Sequence, residues 1–193
     1  MIDTLKSLDQ QWFLLVNNQW QNGLFDLLCP FMRTQSNWYL IYAVVIYQLF
    51  MMYGKKAWWL VLTIAIAVLV SDQISGNLIK NTAQRLRPCN DPVMSLKVHL
   101  LVTCGQGYSF VSSHATNHFV VAFFLGAVFK NKYSWVFPVA LCWAAFISFS
   151  QVYVGVHYPI DVICGALLGS LIGYITYRVI QTKILISTPQ NSA

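Results

Sequence analysis

Phe149-Ser150-Gln151-Val152-Tyr153-Val154-Gly155-Val156-His157-Tyr158-Pro159-Ile160-Asp161 marks the point where one long apolar run breaks and the next begins. It sets the pattern for the whole chain: apolar helices joined by polar loops. Pro159 suits the first position of a helix, where a missing N–H costs nothing. His157 then sits at the helix mouth and Asp161 lies one turn inside, within reach of one imidazole nitrogen. A carboxylate that holds one nitrogen leaves the other free to attack. The same pair also reads as a loop histidine beside a helix-start aspartate favoured by the macrodipole.

Of the 193 residues, 57% are hydrophobic and 9% charged, against about 25% charged in soluble domains. The expected fold is therefore all-α: a polytopic membrane bundle forming a single domain over residues 1–193. No basic n-region with a short apolar stretch and cleavage site opens the sequence, so the spans themselves are expected to direct insertion. The formal net charge is +6 and the sequence contains no Glu. Such a balance suits nucleic acid, an anionic membrane surface or an anionic substrate. Nucleic acid is set aside, because no basic stripe interleaved with exposed aromatics lies outside the apolar segments.

Leu5, Leu8, Trp12, Leu15 and Val16 recur at helical spacing opposite Lys6, Asp9 and Gln10, which predicts an amphipathic helix in the interface within an N-terminal segment, 1–36. Leu24 to Met32 is apolar but interrupted by Asp26 and Pro30, and is expected to lie at the surface or re-enter. Spans are predicted at 34–54, 57–79, 113–129, 133–150 and 161–177: five transmembrane helices, or six if the 24–32 piece also crosses. Lys55, Lys56, Lys130, Lys132, Arg178 and Lys183 fall on one side, which the positive-inside rule makes cytoplasmic, with 178–193 as a cytoplasmic tail. The polar loops 80–112 and 150–158 then share the outer side. Cys89 and Cys104 lie in the first of these and would pair if it faces an oxidising compartment.

Three clusters carry chemistry. In Lys80-Asn81-Thr82-Ala83-Gln84-Arg85-Leu86-Arg87-Pro88, a continuing helix would project Lys80 and Arg87 on one face about 10 Å apart, flanking an anion. Snorkelling at the membrane edge explains the same residues, and Arg85 is expected to be interfacial. In Phe110-Val111-Ser112-Ser113-His114, serines before an apolar helix are caps, and the free N–H groups there attract anions. His114 is placed to exchange a proton with whatever binds, or is simply a histidine at a polar edge. His114 and His118 stand four apart, but without Glu the H-E-x-x-H metal arrangement is excluded. His118 is expected to hydrogen-bond inside the bundle, as is Asp72 in the second span, and His99 is given no role. The third cluster is the 149–161 stretch. Two cations, a helix N-terminus, two histidines and a carboxylate on one side of a membrane suit phosphoryl transfer.

Together these clusters resemble the signature of the type 2 phosphatidic acid phosphatase superfamily, which includes bacterial acid phosphatases and vanadium haloperoxidases. Its pattern is K-x6-R-P, then P-S-G-H, then S-R-x5-H-x3-D. Lys80, Arg87 and Pro88 match the first block. Ser112 and His114 match the second, with Val111 for proline and Ser113 for glycine. Ser150, His157 and Asp161 match the third, with Gln151 for arginine. The resemblance covers a core at 57–177. It implies a membrane-bound, metal-independent lipid phosphatase without cofactors, acting on a lipid phosphate or pyrophosphate. His157 would form a phosphohistidine, Asp161 would orient it, and His114 would serve as acid and base. Lys80, Arg87, Ser112, Ser113 and Gln151 would bind the phosphoryl oxygens. The Gln151 amide offers only neutral hydrogen bonds where family members grip phosphate bidentately. A lipid phosphotransferase and an impaired lipid-phosphate binder or transporter remain alternatives. The expected site is the outer, periplasmic face of a bacterial inner membrane; the sequence leaves the oligomeric state open.

Overall fold

Three glycines on one helix set the centre of the bundle. Helix α8 (Pro159–Ile180) carries Gly165, Gly169 and Gly173 at four-residue intervals on the face turned to α6 (Ser113–Phe129). A Cβ on Gly165, Gly169 or Gly173 would lie 2.7, 2.1 or 2.6 Å from the carbonyl oxygens of Ser112, Thr116 and Val120, respectively. The two backbones are therefore in direct contact, as small-residue stripes allow where no hydrophobic effect drives helices together in lipid. Since the contacts advance in step along both chains, α6 and α8 run parallel. Between them α7 (Val136–Tyr153) returns the other way, with Phe137 on Phe123 and Trp143 on His118.

The computed structural model describes residues 2–182, and among them there is no β-strand. Helix α1 (Ile2–Leu14) leads through a π-helical turn to α2 (Gly23–Arg33), which lies along α7 with Phe25 against Tyr153. Pro30 is accommodated within α2 rather than ending it. A 3-10 turn leads to α3 (Tyr39–Tyr53), and the chain reverses at Gly54, whose φ of +53° favours a residue without Cβ. Helix α4 (Ala57–Asp72) continues as a π-helical stretch, Gln73–Ile79, into the short α5 (Lys80–Ala83). Ser71 bonds Asn117 and Ser75 bonds Ser113, so α4 descends along α6.

The surface is apolar where a soluble protein would be polar: Leu40, Trp58 and Leu167 are each at least 66% exposed. Gln35–Ala83, Val136–Tyr153 and Pro159–Ile180 are long and apolar enough to cross a membrane, and Ser113–Phe129 is a shorter apolar helix. This is an integral membrane protein. Helix α1 exposes Leu5, Leu8 and Trp12 as an interfacial helix should, but Asp9, expected on its watery face, is turned inward and buried. The cytoplasmic tail expected at 178–193 belongs to α8 up to Ile180; its residues 183–193 lie outside the described residues.

One end of the bundle gathers the polar loops. Leu101 N donates to Val154 O at 3.4 Å, and the buried Asn17 side chain bonds His99 through both its amide and its carbonyl while also donating to Tyr153 O. Gly155, at φ +90°, turns the chain there with Val98 packed over it. Closeness of α6 and α8 fixes where this end's groups meet. Gly169→Ala should therefore cost about 1–3 kcal/mol, since backbone has to move, whereas Gly76→Ala, whose Cβ would meet only Ser113 Oγ at 3.7 Å, should leave the detergent-solubilised thermal midpoint unchanged.

Candidate active site

Pro159 opens α8 as expected, and Asp161 is its third residue. Tyr158 N donates to Asp161 Oδ2 at 2.9 Å, which caps the helix and fixes the carboxylate. His157 Nδ1 stands 3.5 Å from the same oxygen, an ion-pair distance longer than a hydrogen bond, and has no other partner. Its Nε2 lies 3.3 Å from Arg87 Nη1. A guanidinium only donates, so this contact requires a lone pair on Nε2 and places the ring proton on Nδ1, facing Asp161. Burial lowers His157 to about 4 against the opposing pull of Asp161. At neutral pH the imidazole is neutral, with its lone pair beside a cation.

Arg87 reaches this position by a route other than the one expected. Helix α5 ends at Ala83, with Gln84 at φ +48°, so Lys80 and Arg87 do not share a helical face. Pro88 forces the residue before it out of helical geometry, and Arg87 is extended. The loop is instead held by its own contacts. Cys89 and Cys104 are joined by a disulfide, Asn90 donates to Gly105 O, and the Arg87 guanidinium lies directly over Gly105. Arg87 Nη1 also donates to Val156 O at 3.3 Å.

Arg85, expected at the interface, is the largest correction. Its Nη1 donates to Asp161 Oδ1 at 2.7 Å and its Nη2 to Asp9 Oδ2, while the guanidinium plane covers the Tyr158 ring at 4.0 Å. Asp9 Oδ1 in turn accepts from Ile160 N. Burial opposes the charge on Arg85, but the two carboxylates outweigh it and hold it above its ordinary value. Asp161 is thus oriented from one side by Tyr158 N and from the other by Arg85. The sequence carried no signal that set Asp9 apart from Lys6 and Gln10 on the polar face of α1.

Ser112 caps α6: its Oγ accepts from Ala115 N and its carbonyl from Thr116 N, which leaves the N–H groups of Ser113 and His114 without intrahelical acceptors. Ser113 Oγ accepts from Ser75 on the extension of α4. Ser112 N donates to Asp161 O at 3.0 Å and Arg87 meets His157, so residues of the three clusters converge, with His114 in the first turn after Ser112. Lys80 has no hydrogen-bond or ion-pair partner among the described residues. Gln151 is fully buried; its carbonyl accepts from Val156 N and His157 N, and both atoms of its side-chain amide are unpaired. His118 packs edge-on against Trp143 instead of forming the expected bond. Asp72 accepts from Asn117, and His99 lies 3.6 Å from Asp26.

The profile of the PAP2 superfamily matches residues 56–185. The chain belongs to the PAP2 superfamily. Its relatives are phosphatases, and it is an enzyme of that kind, a hydrolase of phosphoric esters or pyrophosphates. This PAP2 protein is 31% identical over 180 residues to a lipid A 4'-phosphatase of Bacteroides thetaiotaomicron, covering 92% of this chain and 79% of that one. It is 30% identical over 161 residues to an undecaprenyl-diphosphatase of Sulfolobus acidocaldarius, covering 83% and 71%. In fold it is similar to the crystal structure of Aquifex aeolicus LpxE, with a TM-score of 0.66 and 24% identity over 87% of this chain and 93% of that one.

Two outcomes follow from the buried charges of this PAP2 site. Arg85→Met should cost about 3 kcal/mol of stability by leaving Asp9 and Asp161 unanswered. Added to it, Asp9→Asn should cost less than it does alone, a coupling visible in denaturant melts of all four combinations. For His157 the folded value lies below the unfolded one of about 6.5. Its contribution to stability is complete above that pH and is lost as pH falls toward 4. The carbon resonances of labelled His157, assigned by difference from His157→Gln, should report a neutral ring at pH 5.5.

Proposed function

We propose that this chain is a metal-independent lipid phosphatase that works through a phosphohistidine. The observation that carries this reading is the buried His157 held with Nε2 3.3 Å from Arg87 Nη1 and Nδ1 turned to Asp161. Nε2 attacks phosphorus, the bond from phosphorus to the lipid oxygen breaks, and His114, which takes up a proton when the anionic headgroup binds beside it, gives that oxygen the proton. Neutral His114 then takes a proton from water, the resulting hydroxide attacks phosphorus, and the P–N bond breaks to release phosphate. Lys80, Arg87 and the α6 N–H groups of Ser113 and His114 offset the charge that builds on the phosphoryl oxygens. Ser112 shapes that helix mouth, and the unpaired Gln151 amide supplies neutral donors.

The substrate class follows from what surrounds the site. Its polar groups open among helices with apolar outer faces, so a headgroup can enter while its tail stays in the bilayer. The relatives named above act on lipid A phosphate and on undecaprenyl diphosphate, both consistent with that arrangement. The fuller topology belongs to the same proposal. The 23–53 segment, the 57–83 segment, α6, α7 and α8 make five crossings. Lys55, Lys56, Lys130, Lys132 and Arg178 mark the cytoplasmic end, and the site faces the periplasm of a bacterial inner membrane.

Purified protein should release inorganic phosphate from lipid phosphates or pyrophosphates in the presence of chelator, and His157→Ala should lower the rate about a thousandfold or more. Undiminished turnover by that variant would rule out the phosphohistidine. Phosphate delivered to a second lipid in place of water would make the protein a transferase, and no turnover on any lipid would make it a binder.

A further inference from the structure

The buried amide of Gln151 raises the question of what replaces an arginine at that place. Helix α2 lies antiparallel to α7, with Phe25 on Tyr153 and Cys29 against Ser150, the neighbour of Gln151. Arg33 is one turn beyond Cys29 on the same face of α2. Its Nε is buried without a partner, and among the described residues its guanidinium has no hydrogen bond or ion pair.

The surroundings of Arg33 are those of the site. Its charge interacts with that of Arg87, and it is the strongest single charge acting on His114, ahead of His157, His118 and Lys80. The end of α2 would favour a cation, but that alone does not explain its lying within electrostatic range of a histidine and a second arginine. Nor do the aspartates whose side chains are described, five of them, supply it with an anion. Asp9 and Asp161 are taken by Arg85, Asp26 accepts from Tyr153, Asp72 from Asn117, and Asp91 from the backbone of Val93 and Met94. The sequence has no Glu. Half-buried cations without counter-ions are costly unless an anion arrives, and Arg33 and Lys80 are both in that position.

We infer that Arg33, carried by α2, takes the phosphate-gripping place that an arginine at 151 would fill, so that Arg33, Arg87 and Lys80 together surround the phosphoryl group at His157. This rests on the proposed phosphatase reading and assigns the N-terminal segment a direct part in it. A guanidinium in that place restores the charged, forked donor that the Gln151 amide lacks. The arginine has in effect moved from the inner helix to the one packed beside it.

The test compares wild type, Arg33→Met, Arg33→Lys and Arg33→Met/Gln151→Arg, purified in detergent, with a short-chain phosphatidic acid as substrate and inorganic phosphate as ligand. Arg33→Met should lower kcat/KM and weaken phosphate binding by calorimetry about tenfold or more. Arg33→Lys should lie between it and wild type, and Gln151→Arg should recover most of the loss, which a merely structural role for Arg33 would not allow. If Arg33→Met does not fold, as judged by its thermal midpoint, the same comparison is made with Arg33→Lys and Arg33→Lys/Gln151→Arg. Phosphate binding within threefold of wild type in the folded Arg33 variant, or no recovery by Gln151→Arg, overturns the inference. A wild type that turns over neither this lipid nor any other lipid phosphate or pyrophosphate, yet still binds phosphate through Arg33, overturns the phosphatase reading alone.

Discussion

A charge withdrawn from water must be answered inside the protein, and at the polar end of this bundle one guanidinium answers two carboxylates at once. Arg85 joins Asp161 on the last helix to Asp9 on the first. Removing either acid would leave the arginine half-satisfied, and removing the arginine would leave two buried anions. The pair of ion contacts therefore does more than add a modest stability increment. It fixes where α1 sits, fixes the carboxylate that faces His157, and draws residues 84–87 onto the site. Arg87 follows from this, because it lies two residues further along an extended segment and its backbone carbonyl is held by Asn90 and Asp91.

Much of this was legible in the sequence. The break at 149–161 announced a helix opening at Pro159, and the helix is there. Serines before an apolar run announced a cap at Ser112, and Ser112 caps α6. The apolar run at 113–129 coincides to the residue with helix α6 because its signals are local: capping oxygens at one end and charged turn residues at the other. Local signals fail where tertiary contacts decide. Lys80 to Arg87 has helical composition throughout, but Gln84 takes a left-handed conformation because residues 85–87 are worth more bonded to Ser109, Asp161 and His157 than continuing a helix. Asp9 looked like the wet face of an amphipathic helix because nothing in its neighbourhood reveals a partner 76 residues away.

The same contrast governs the cations. Counting basic residues separates those at span ends from those in the loop, yet it gives no way to tell Arg85, already neutralised within the fold, from Lys80, which is not. Electrostatic competition makes the distinction: an acid that is spent on one partner is unavailable to the next. With six aspartates and twelve basic residues, positive potential has to remain somewhere, and Arg33 and Lys80, without ion-pair partners among the described residues, keep part of it near Arg87.

The π-helical stretch between Asp72 and Lys80 bears on how this chain tolerates insertion and deletion. Widening a helix there changes the angular register of everything beyond it relative to α4, and Lys80 is the first residue beyond it. Losing one residue from 73–79 without tightening the wide turns would swing Lys80 about 100° around the helix axis, away from its place near Arg87. The length of that segment is therefore under a stricter constraint than its composition.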